Sequence, residues 1–123
     1  MDEKDIDVIL NANGINTADG LTYCAEDEEF YREILNDYAN SSDDRIKELE
    51  EACAAMDLDN YTIKVHALKS VAKTVGDKNV FEMAYALEMA AKGKDSETVQ
   101  KKHPDLIAEY KKKAGIIKGI FKK

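Results

Sequence analysis

The chain has 123 residues, 35% of them charged, with one proline, six glycines, no tryptophan and a formal net charge of −7. That length holds one core without disulfide or metal staples, and so few backbone breakers among so much alanine, leucine, glutamate and lysine favour helix throughout. The acidic balance and the lack of aromatics among the lysines argue against a nucleic-acid binder. No apolar run approaches membrane-spanning length, and Cys24 and Cys53 have neither metal nor redox spacing, so the expectation is a cytoplasmic domain with reduced thiols.

Residues 3–11 read as a short amphipathic opener with Ile6, Ile9 and Leu10 on its apolar side, ended by Asn13-Gly14 and followed by a loop containing Gly20. Asp27 is placed to cap a helix whose stripe is Phe30, Ile34, Leu35 and Tyr38, with acids in its first turn where the helix dipole favours them. Ser41 or Ser42 caps the next, with Ile46, Leu49, Cys53 and Met56 recurring every three or four residues. Asp57 to Asp59 is a tight break, and Asp59 is expected to cap the following helix, which Gly76 closes in a left-handed conformation. Asp77 starts another, running to about Lys92, with Gly93 after it.

Asp95-Ser96 opens the last stretch. His103-Pro104 is expected to interrupt it, because a residue before proline is biased out of helix and proline favours a first helical position. A final helix then carries Leu106, Ile107, Tyr110, Ile117 and Phe121, with Lys111 to Lys113 read as a solvated face and His103 as chemically inert. The expected architecture is all-α. It is an antiparallel up-down four-helix bundle with a short N-terminal helix and a short helix before Pro104, spanning 1–123 as a single monomeric domain. Residues 1–60 sum to −14 and residues 61–123 to +7, so acidic helices are expected to pack beside basic ones.

The stretch from Asp59 to Gly76 holds the chemistry. At about 100° per residue, Thr62, Lys69, Ser70 and Lys73 fall within about 60° of His66, while Tyr61, Val65, Leu68, Val71, Ala72 and Val75 fall on the far side. His66 is thus expected on a polar ridge, ringed by lysines and small hydroxyl residues. An imidazole, with an ordinary pKa of about 6.5, is a good nucleophile toward phosphorus near neutral pH. Lys69, one turn on, is expected to steady phosphoryl oxygens as a point charge, with Lys73 a secondary charge. Ser70 is small enough to admit a partner's active-site loops. Lys64 lies about 160° from His66 and is expected to snorkel between helices.

His66-Ala67-Leu68-Lys69-Ser70, followed by Gly76, resembles the signature of histidine-containing phosphotransfer (HPt) domains. Val80, Ala84, Leu87-Glu88 and Ala91 resemble the helix that follows in that family. Asn13-Gly14-Ile15, Gly20-Leu21 and the run from Glu26 to Leu35 resemble its N-terminal part. The resemblance implies a phosphocarrier in a multistep phosphorelay. His66 would accept a phosphoryl group from a receiver-domain aspartate and pass it to another receiver, with a hybrid sensor histidine kinase as a further partner. It implies no cofactor on this chain, with Mg²⁺ on the partner receiver, and no nucleic acid or membrane.

Two other classes compete. A self-phosphorylating kinase is disfavoured, because Ala67 stands where such kinases carry an acid beside the histidine, and neither a GxGxxG nor a Walker A loop is present. The alternative is a receiver-binding adaptor bundle without phosphotransfer, against which His66 and Lys69 stand together.

Overall fold

A computed structural model describes residues 3–121. It contains α1 (Glu3–Ala12), α2 (Thr17–Tyr23), α3 (Glu28–Asn40), α4 (Ser42–Ala54), α5 (Leu58–Val75), α6 (Lys78–Lys92) and α7 (Ser96–Phe121), with no strand among the described residues. Acidic side chains start four of these helices by accepting a backbone N–H three residues on. Asp27 caps α3, Asp57 caps α5, Asp77 caps α6 and Asp95 caps α7. The expected cap of α5, Asp59, lies instead inside its first turn and pairs with Lys94. Ser41 precedes α4 without capping it, because its hydroxyl donates back to the Asp37 carbonyl.

The helices close on one continuous apolar cluster, from Ile6 and Leu10 through Leu35, Leu49, Val65, Leu68, Ala84 and Leu87 to Leu106 and Ile117. The α5 stripe is buried as the periodicity predicts, with Val71 half-buried at its margin. Along α3 the burial differs from expectation. Phe30 is 46% exposed and Tyr31 takes the inward place, its hydroxyl donating to the Val75 carbonyl at 2.8 Å. The tyrosine ring lies against Gly20, where a Cβ would collide with it. Gly20 is therefore not in a loop: it sits within α2, and its missing side chain is what lets α3 approach.

Pro104 does not divide the C-terminal segment either. α7 runs unbroken from Ser96 to Phe121 with Pro104 inside it, so no separate short helix precedes the proline. Proline deprives the carbonyl four residues back of its partner, and here that residue is Gln100, exposed to water. The buried stripe Val99, His103, Leu106, Ile107 and Tyr110 runs straight through the proline, and its packing holds the helix together. The lysine triplet is also corrected. Lys111 and Lys112 are exposed, but Lys113 is 1% exposed. Its Nζ meets Asp77 Oδ1 at 3.0 Å, Asn79 Oδ1 at 2.7 Å and Glu109 Oε2 at 3.3 Å, while Tyr38 donates to the other Asp77 oxygen at 2.8 Å.

The turn between α5 and α6 is clamped by the segment between α1 and α2. Asn16 N–H donates to the Gly76 carbonyl at 2.8 Å, Lys78 N–H donates to the Gly14 carbonyl at 3.3 Å, and Ile15 faces Asp77 in an isolated antiparallel bridge. Gly76 has φ +84°, the left-handed conformation expected of it, and a Cβ there would strike the Asn16 carbonyl. Both the backbone conformation and the close approach require glycine. Ion pairs Lys64–Glu48, at 3.1 Å, and Lys94–Asp59 join the basic half of the chain to the acidic half. Lys64 reaches α4 in doing so.

Candidate functional site

His66 stands on the open ridge of α5 with its side chain 56% exposed. Its Nδ1 lies 2.8 Å from Glu88 Oε2 on α6. Glu88 occupies the inward stripe of that helix, with Val80, Ala84, Leu87 and Ala91, and its side chain is 3% exposed. A carboxylate in that position must be compensated. Lys69 Nζ stands 2.6 Å from Oε1, an ion pair rather than an aligned hydrogen bond, and Lys92 Nζ stands 3.1 Å from Oε2. Burial alone would raise the carboxyl's pKa, but the contacts with Lys69, His66 and Lys92 outweigh it and hold the group at about 2.

Glu88 is therefore an ionised acceptor near neutral pH. As an acceptor it can hold a proton on Nδ1, which in a neutral ring leaves the lone pair on Nε2. The ring is oriented by a buried anion, on a side chain that is more than half exposed.

The other residues singled out in the sequence fall as follows. Lys69 turns toward Glu88, its Nζ 5.4 Å from the centroid of the Tyr85 ring. Ser70 is exposed one turn above His66 and donates its hydroxyl to the His66 carbonyl at 3.0 Å, so it adds little bulk to the ridge. Lys73 is exposed but leans away, with Nζ 5.7 Å from the Tyr23 ring centre and 6.0 Å from that of Phe81. His103 is far from this face. It is buried on α7, and Tyr61, on the opposite side of α5 from His66, shares a 2.9 Å hydrogen bond with its Nδ1. Burial lowers its pKa below the ordinary histidine value.

Two features escape a reading of the α5 pattern alone. The first is Glu88 itself, whose signal is an acid standing on an otherwise apolar stripe. The second is a pair of exposed apolar side chains on α6, Tyr85 at 50% and Met89 at 52%, which join Ile63 of α5, 65% exposed and about 60° from His66 by helical spacing. Ile63 lies one turn before His66, while Tyr85 and Met89 flank Glu88 in sequence, so water-exposed apolar surface borders the imidazole.

Fold and site together define an all-helical bundle that presents an exposed histidine backed by a buried, cation-compensated carboxylate. The family model of the Hpt domain matches residues 33–112, more than half of the chain, and the protein belongs to the Hpt domain family. Hpt domains are phosphotransfer carriers that interact with receiver domains of response regulators. The match starts inside α3 and ends inside α7, so α1 and α2 lie outside it. Searches of curated proteins and of solved structures give no match. No described helix is long and apolar enough to cross a membrane.

Proposed function

We propose that the protein is a phosphorelay carrier in which His66 accepts a phosphoryl group from a receiver aspartate and passes it to a second receiver. The observation that carries this reading is the pairing of an exposed imidazole with a buried carboxylate at Nδ1. In the transfer, the Nε2 lone pair attacks the phosphorus of an aspartyl phosphate. The N–P bond forms, the P–O bond to the aspartyl carboxylate breaks, and that carboxylate leaves with the bonding electrons. Nδ1 keeps its proton, so the ring becomes cationic and needs no base to accept a proton. Glu88, 2.8 Å away, stabilises the charge as it develops. The reverse steps deliver the group to the next aspartate, with Mg²⁺ on the receiver and no cofactor on this chain.

Lys69 is proposed to steady phosphoryl oxygens from one turn along the ridge, and Ser70 to leave room for the receiver's loops. Ile63, Tyr85 and Met89 supply apolar area for docking beside the imidazole. The whole of 1–123 is proposed as one cytoplasmic, monomeric Hpt domain. Its bundle is proposed as an up-down arrangement of α5, α6, α7 and the consecutive pair α3 and α4, a reading supported by the packing of both α3 and α4 on α5 and on α7. Such a module transfers phosphoryl groups without kinase activity of its own.

The test is incubation with a receiver carrying labelled aspartyl phosphate, followed by assay for alkali-stable, acid-labile label. The wild-type protein should take up label, His66→Gln should take up none while melting nearly as wild type, and ATP alone should label neither. Label persisting on His66→Gln would refute the assignment. A stable receiver complex that never acquires label would favour the binding-only adaptor.

A further inference from the structure

Glu88 has more cationic partners than a resting carboxylate with one histidine to orient requires. Lys69 holds Oε1 at 2.6 Å, while Lys92, one turn on along α6, holds Oε2 at 3.1 Å, the same oxygen that His66 Nδ1 meets at 2.8 Å. The two lysines differ in setting. Lys69 shares α5 with His66 and is three residues away, so its amine can exchange Glu88 for oxygens on Nε2 by a change of rotamer. Lys92 is fixed to the opposite helix and approaches Glu88 from the Nδ1 side.

Resting on the phosphocarrier reading, we propose that Lys92 is a standby counterion that keeps Glu88 compensated when Lys69 turns to the phosphoryl group. Phosphorylation at Nε2 adds a dianionic group beside the ridge and draws the Lys69 ammonium toward it. Without Lys92, that movement would leave a carboxylate with a 3% exposed side chain facing only the phosphoimidazolium. With Lys92 in place, Lys69 is released at little cost, and Glu88 stays ionised to hold the Nδ1 proton. Other charged groups near this part of α5 are engaged elsewhere: Lys64 with Glu48 of α4, Lys94 with Asp59, and Lys73 between the Tyr23 and Phe81 rings. Lys92 is thus a positioning residue, acting on the imidazole through Glu88.

The experiment compares Lys92→Met, Lys92→Arg and wild type, using phosphoramidate as a small donor. In that reaction Nε2 attacks phosphorus, the P–N bond breaks and ammonia leaves, so receiver docking plays no part. Lys92→Met should melt close to wild type, because Lys69 still compensates Glu88 in the unphosphorylated protein. Its labelling should nevertheless slow by about three- to tenfold, with Lys92→Arg near wild type. In a Lys69→Met background, Lys92→Met should lower the melting temperature far more than it does alone. A lysine serving only the α6 C-terminal dipole predicts the opposite: lower melting in both backgrounds and unchanged labelling. Lys92→Met labelled at the wild-type rate overturns the inference while leaving His66 as acceptor. Failure of the wild-type protein to take label from either phosphoramidate or a receiver overturns both.

Discussion

Replacing Glu88 by glutamine tests whether a charge, and not merely a hydrogen-bond acceptor, underlies the site. The carboxyl is held at about 2 against an ordinary 4.5, so its ionised form is favoured by folding. That difference corresponds to about 3 kcal/mol, at 1.36 kcal/mol per pH unit. A group whose pKa is lowered on folding contributes this stability above its unfolded value and loses it as pH falls toward the folded one. Glu88→Gln should therefore cost about 3 kcal/mol in urea unfolding at pH 7, and the gap to wild type should narrow to about 1–2 kcal/mol at pH 3. Glutamine can still accept from Nδ1, so phosphoryl uptake should survive but slow by about tenfold, as a charge-assisted contact becomes a neutral one. A stability gap that stays constant between pH 7 and pH 3 would refute the reasoning, since the lost interaction would then not depend on the carboxylate's charge.

Lys69→Ala should slow transfer to His66 by about one to two powers of ten in a labelling time course, whereas Lys73→Ala, whose amine lies between two aromatic rings, should change it little. Ser70→Ala should transfer near the wild-type rate, but Ser70→Trp should block uptake from a receiver while phosphoramidate still labels His66. Equal loss with both donors would place the damage at the nucleophile instead of the approach. Lys113→Met should destabilise the fold by about 3 kcal/mol in chemical denaturation, because it strips the buried Asp77 carboxylate of its cation. A loss under about 1 kcal/mol would show that the Tyr38 hydroxyl and the Val80 amide suffice.

The sequence makes legible what depends on neighbours three or four residues away. The buried stripe and the exposed ridge of α5 both follow from helical spacing, as does the left-handed glycine that ends it. What it conceals depends on partners far along the chain. Glu88 and His66 are 22 residues apart, and only the packing of α6 on α5 shows that an inward-facing acid has a histidine and a lysine of the neighbouring helix to meet. Tyr31 in place of Phe30 is decided by the gap at Gly20 and the carbonyl of Val75. Lys113 carries a readable signal, since Leu106, Tyr110, Lys113 and Ile117 share one stripe at spacings of four, three and four. Its position in a lysine triplet masks that register. At Pro104 a local rule about helix termination competes with a stripe that continues on both sides of it, and the stripe prevails.

The clamp at the α5–α6 turn bears on how the chain can be dissected. A fragment cut at residues 33 and 112 would keep His66, Lys69, Glu88 and Lys92, and would look sufficient on paper. It would lose the Asn16 and Gly14 bonds that pin the Gly76 turn, the Tyr31 hydroxyl on Val75, and Lys113, the cation beneath Asp77. Each of those contacts supports the hinge that sets α6 against α5, and thereby the 2.8 Å reach from Glu88 to His66. Boundaries that contain every reactive group would still cut away the parts that hold them in register.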